Sequence, residues 1–199
     1  MKKIIIAAVL FLVSSSSAFA TLIDFSLDSQ GTKPNGFSSV SVPGVKFYDT
    51  IDAYLIVGAY SPESNGSNAL AVFGDDQSKL QMVFASNANT LSLDFGNDQP
   101  GFNVTAGVLD LYLGTTLVGN SVLEVNGNDF MDQTISYTGA SFDNAFFYYI
   151  AANGAPANLI EVVDNINFSN TAAPVPEPST IILLGTGLLG VGLARRKRK

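Results

Sequence analysis

The chain has 199 residues, 47% hydrophobic and only 14% charged, with no Cys, His or Trp. Its formal charge of −7 is unevenly spread: Lys2 and Lys3 lie at one end, Arg195, Arg196, Lys197, Arg198 and Lys199 at the other, and Lys33, Lys46 and Lys79 are the only basic residues between them. So acidic a middle cannot neutralise a run of phosphates, which excludes nucleic acid as a partner, and without His or Cys there is no Ser-His-Asp triad, thiol nucleophile or ordinary zinc, copper or haem site.

Residues 1–20 read as a secretory signal. Lys2 and Lys3 supply the positive start, residues 4–13 are continuously apolar, four serines follow, and Ala18-Phe19-Ala20 has the small-x-small form of a cleavage site. The apolar run is too short to cross ~30 Å of hydrocarbon. Cleavage after Ala20 through Sec-type export machinery is expected, leaving Thr21 as the mature start.

Residues 21–169 are expected to form one domain. With sixteen of the seventeen acidic residues and three lysines it carries −13, and having no cysteines it must hold together by packing alone. Period-two alternation dominates: Leu80, Met82 and Phe84 share one face, as do Leu91, Leu93 and Phe95, and Leu109, Leu111 and Leu113. Further strands are predicted near 37–42, 45–48, 53–60, 69–73, 121–125, 133–137, 145–150 and 159–168. Turns are predicted at Gly74-Asp75-Asp76, Ser86-Asn87, 96–101, Gly114-Thr115, Asn126-Gly127-Asn128 and Asn153-Gly154. No helical stripe and no fixed-period repeat interrupts this pattern. The fold class is therefore all-β: a single antiparallel two-sheet sandwich, of jelly-roll type.

Two groups in the body suggest chemistry. In the run Phe146-Phe147-Tyr148-Tyr149, alternation puts Phe147 and Tyr149 on one face and Phe146 and Tyr148 on the other. Exposed tyrosines would stack on a sugar ring, whereas a central strand would bury both faces. Asp164 has the parity of Val162, Ile166 and Phe168, so it is expected on their apolar side, paired, hydrogen-bonded or metal-bound. The acidic turns at Asp75-Asp76 and 94–98 offer oxygen ligands but follow no EF-hand pattern.

The body resembles jelly-roll carbohydrate-binding modules in Ile23-Asp24-Phe25, Gly44-Val45-Lys46-Phe47, Ser67-Asn68-Ala69-Leu70, Leu93-Asp94-Phe95-Gly96 and the closing Val163-Asp164-Asn165-Ile166-Asn167-Phe168. The resemblance implies a structural Ca²⁺ held by Asp164 and a first-strand acid. Ser26 stands where that acid would follow Phe25, which leaves Asp24 and Asp28 as the nearest candidates, and an aspartate that merely accepts backbone N–H bonds is the alternative.

Residues 170–180 form a Pro/Ala-rich linker that can neither continue a helix nor pair as a central strand, with Ser179 and Thr180 placed to cap a helix. Residues 181–194 carry Ile181, Leu183, Leu184, Leu188, Leu189, Val191 and Leu193 without a charge. As a helix they would measure about 21 Å, short of a membrane span, so the expected anchor is marginal. The basic tip 195–199 would stay cytoplasmic and place the body outside. Val175-Pro176-Glu177-Pro178-Ser179-Thr180, the apolar stretch and the basic tip together resemble the PEP-CTERM sorting signal. That resemblance implies recognition by an exosortase, cutting near Pro176-Glu177-Pro178, a transient membrane anchor, and delivery to the cell surface or beyond in company with exopolysaccharide.

The expected function is an exported, non-catalytic cell-surface or extracellular matrix protein associated with exopolysaccharide or biofilm. The alternative is a carbohydrate-binding module, and a polysaccharide-acting enzyme comes last because no acid/base pair of carboxylates stands out.

Overall fold

Alternating apolar residues build ten antiparallel strands in the computed structural model, which describes residues 20–74, 76–98 and 103–170. The strands are β1 (Thr21–Ile23), β2 (Gly31–Pro34), β3 (Val45–Asp49), β4 (Tyr54–Ala59), β5 (Asn68–Val72), β6 (Leu80–Gly96), β7 (Val104–Leu113), β8 (Thr116–Glu124), β9 (Gln133–Ala151) and β10 (Val162–Ser169). All lie in one compact unit, Phe19–Thr171. The signal segment up to Phe19, the sorting element at 175–180, the apolar segment 181–194 and the basic tip 195–199 fall outside the described residues, as does Asp75. Among the described residues no helix is long and apolar enough to cross a membrane.

Hydrogen bonds link the strands in the order β2-β4-β5-β10-β6-β9-β7-β8, with β1 added to β10 and β3 to β6. Two long strands fold this sheet into a sandwich. The start of β6 pairs with β3 and with the end of β9, whereas its later part pairs with β10 and the start of β9. One layer thus holds β3, early β6, late β9, β7 and β8; the other holds β2, β4, β5, β10, late β6 and early β9. Where β6 and β9 pass between layers, their mutual register shifts between Val83 and Ala88 and again between Ala88 and Thr90. Each shift interrupts the ladder as a bulge does, which bends the strands and re-aims their side chains. Across the bend the buried residues of β6 change from Leu80, Met82, Phe84 and Ala88 to Leu91, Leu93 and Phe95.

The core lies between the layers. Phe95 of one layer meets Phe147 and Tyr149 of the other at centroid distances of 5.2 and 6.0 Å, and Phe25, just past β1, packs edge-on to Phe47 at 5.5 Å. The all-β antiparallel sandwich is as expected. Its strands differ in detail. The separate strands expected at 80–84 and 91–95 are one strand, and so are those at 133–137 and 145–150. The segment 37–42 is a loop with a single bridge from Phe37 to Phe47. Asp28 holds that loop, accepting bonds from Ser39 Oγ at 2.6 Å and Val40 N at 3.0 Å.

Beyond β7, β8 turns back toward early β9 without a backbone ladder between the two. Side chains close this seam: Ser121 Oγ donates to Ser136 O, Tyr137 OH to Val118 O and Gln133 Nε2 to Glu124 O. Tyr137 lies over Gly119 and Gly139, where a Cβ would stand within 2.5 Å of its ring or hydroxyl.

Candidate functional site

Strand alternation sorts the layer built on late β9 into an inner and an outer face. Phe147 and Tyr149 are wholly buried in the core, so Phe146 and Tyr148 point outward, half-buried. Register aligns Tyr48, Gln81, Phe146, Asp110 and Asn120 in a row across all five strands. With strands ~4.8 Å apart such a row is about 19 Å long. A second row holds Lys46, Val83, Asn144 and Tyr112, flanked by Leu117, and a third places Tyr148 beside Val108 and Val122.

The face is ordered by contacts among its own side chains. Tyr112 packs edge-on against Phe146 at 5.5 Å. Tyr148 OH donates to Asp110 Oδ2 at 3.0 Å, Asn120 Nδ2 donates to Asp110 Oδ1 at 2.6 Å, and Gln81 Nε2 donates to Asn144 Oδ1 at 3.2 Å. Burial, with the Asp110 carboxylate adding to it, pushes the Tyr148 hydroxyl up to about 12, so it stays a neutral donor. Lys79 Nζ stands 3.7 Å from the centre of the Tyr148 ring, a cation–π contact. Flat ring surfaces edged by amides, hydroxyls and a carboxylate match the alternating apolar and polar surface of a sugar.

Of the candidate metal ligands, Asp24 lies near Asp164, whereas Asp28 is engaged in the 37–42 loop. A register shift in β10 between Asp164 and Asn167, with Asn165 at φ 50°, reverses the alternation, so Val163 and Ile166 both face the core. Asp164 therefore leaves the core side that its parity with Ile166 suggested. It is covered instead beside its register partner Asp94, and only 4% of it is exposed. It accepts from Asn165 N at 2.8 Å and Ser67 Oγ at 3.3 Å; burial, reinforced by Asp24 and Asp94, raises its carboxyl to about 6. Asp24 is engaged by the amide and hydroxyl of Ser26, and both oxygens of Asp28 by Ser39 and Val40. Among the described residues no group of three carboxylates is placed to hold a metal ion.

Glu161, just before β10, carries no signal in the sequence. It is 0% exposed, and neither carboxyl oxygen meets a donor at hydrogen-bonding geometry. Its main-chain carbonyl accepts from Val72 N at 3.0 Å, and Phe73 N donates to Asp49 Oδ2 at 3.3 Å, which brings Asp49 alongside. Burial foremost, then the Asp49 and Asp76 charges, pushes the Glu161 carboxyl well above its ordinary 4.5.

These features define an antiparallel β-sandwich with an aromatic and amide face. Residues 174–199 match the PEP-CTERM protein-sorting motif, which marks an exported protein sorted through its C-terminal segment. No curated protein matches the chain. Among solved structures it is similar to the K2 cleaved adhesin domain of Lys-gingipain (12% identity, 76% of this chain and 99% of that one, TM-score 0.39). It is similar to the Stig cyclase Fisc from Fischerella sp. TAU (17%, 76% and 98%, TM-score 0.41). A third is the CBM22-1 xylan-binding domain of Paenibacillus barcinonensis Xyn10C (14%, 80% and 100%, TM-score 0.33). At these scores none of them assigns a ligand to this chain.

Proposed function

We propose that the protein is an exported, non-catalytic surface or matrix component that presents the outer face of its β3–β6–β9–β7–β8 layer to polysaccharide. The row Tyr48-Gln81-Phe146-Asp110-Asn120, with Tyr112 and Tyr148 beside it, carries this reading: aromatic rings and bidentate polar groups share one face, outside the core. The PEP-CTERM tail supplies delivery and the sandwich supplies retention in the polymer. An exosortase is the processing partner and Pro176-Glu177-Pro178 the element it reads.

Binding of the purified exported protein to a panel of soluble polysaccharides tests the face. Tyr48→Ala and Phe146→Ala should each weaken the best ligand by about fivefold, corresponding to roughly 1 kcal/mol for one aromatic contact. No retention by any polysaccharide, or retention untouched by both substitutions, rejects this face as the site. For sorting, replacing Pro176, Glu177 and Pro178 with alanine should leave an uncut, membrane-associated form; normal processing of that variant would contradict the assignment.

A further inference from the structure

Lys46 and Lys79, two of the three lysines in a body of charge −13, both stand on the proposed glycan face. Lys46 is exposed between the core residues Val45 and Phe47, in register with Val83. Lys79 caps the outward ring of Tyr148, and its carbonyl accepts from Thr50 N at 3.3 Å. On the β3–β6 ladder the two lysines are thus four residues apart, about 13 Å, with Tyr48 and Gln81 between them.

Among the described residues neither lysine has a carboxylate partner: Lys46 makes no polar side-chain contact, and Lys79 rests on an aromatic ring. In the three rows the one carboxylate is Asp110, whose two oxygens are taken by Asn120 and Tyr148. The β3–β6–β9 half of the face therefore carries two lysines without an ion pair and no carboxylate in its own rows, with Asp110 the adjoining acid, reached through the Tyr148 hydroxyl, on a domain that is strongly acidic elsewhere. Carboxylates beyond a Debye length of ~8 Å are largely screened from a ligand lying on this half at physiological salt.

Resting on the glycan-binding reading above, we propose that the face selects polysaccharides whose sugars carry acid groups, such as uronates, with Lys46 and Lys79 as the specificity-determining residues. The aromatic row supplies contact area common to all sugars. The lysines supply discrimination, because an ammonium gains more from a carboxylate than from a hydroxyl in its place.

Affinity of the purified exported protein for polygalacturonate and for an uncharged β-glucan, at low and at physiological salt, tests the proposal with Lys46→Gln, Lys79→Gln and the double variant. Polygalacturonate should bind more tightly, and more weakly as salt is added. Each substitution should reduce that affinity about two- to fivefold, the two effects multiplying, and should narrow the preference for polygalacturonate over the glucan. Equal or tighter, salt-insensitive glucan binding would overturn the acid selectivity and leave the glycan face standing. So would lysine variants that keep the wild-type preference. Failure to bind either polymer, together with failure across the wider panel, would remove both readings. Neither lysine contributes to the core, so unchanged thermal melts verify that the variants are folded.

Discussion

Replacing Glu161 by Gln should make the protein more stable, by an amount that grows with pH. In the fold this carboxyl is wholly enclosed, its oxygens meet no donor at good hydrogen-bonding geometry, and burial, outweighing the nearby Glu161 and Tyr149 main chain, joins Asp49 and Asp76 in holding its proton well above the ordinary 4.5. An unfolded chain releases that proton near 4.5, whereas the folded chain keeps it, so stability falls as pH rises above that value. The loss is about 1.4 kcal/mol for each pH unit over which Glu161 is protonated in the fold and ionised out of it. The uncharged glutamine does not suffer this loss. The difference between variant and wild type should be near zero around pH 4.5 and climb with that slope. With seven tyrosines and no tryptophan, urea unfolding can be followed by tyrosine fluorescence at half-unit pH steps. A flat difference across pH, or a glutamine variant less stable at pH 7, would refute the view that the carboxyl is enclosed and protonated.

Gly96→Ala should be severe. A Cβ there would stand 2.1 Å from Glu63 O and 3.1 Å from Met131 N, both backbone atoms that cannot swing aside. A cost of about 3 kcal/mol, seen as a melt lowered by roughly 6–12 °C, is expected, and an unchanged melt would contradict the packing. Asp28→Ala removes the acceptors of Ser39 Oγ and Val40 N; it should cost about 2 kcal/mol and bring early proteolytic cleavage within 35–43, whereas cleavage elsewhere first would refute the tether. Adding Ca²⁺ or EDTA should leave the melt in place, since no group of three carboxylates is formed among the described residues; a midpoint rising with the logarithm of Ca²⁺ concentration would show an ion bound to the fold.

Alternation made most of the sandwich legible, because Leu80, Met82, Phe84 and Leu109, Leu111 can bury one face only as strands. It misread the bends. A hairpin turn and a bulge leave the same trace in sequence, a few small polar residues and a change of phase, so Ser86-Asn87 reads as a turn although β6 continues through it. β2 escaped because Gly31-Thr32-Lys33-Pro34 has no apolar face and is held by its backbone pairing with β4. The same phase problem displaced Asp164: counting parity across Asn165 assumes extended backbone where φ is positive. The aromatic run showed which rings share a face, yet not which face is inside, since both are apolar. Tertiary packing decides that, and decides equally that Glu161 is enclosed.

A pull on the segment carrying the sorting motif, 174–199, would enter the body just beyond Ser169, at the end of β10. That strand is not at an edge. Late β6 borders it on one side, and β5 and β1 share the other, β1 meeting it from Thr21↔Phe168 to Ile23↔Ile166. A pull on the tail is therefore spread as shear over hydrogen bonds on both flanks of a central strand, instead of peeling a hairpin bond by bond. The chain is gripped on both flanks where it would be tugged.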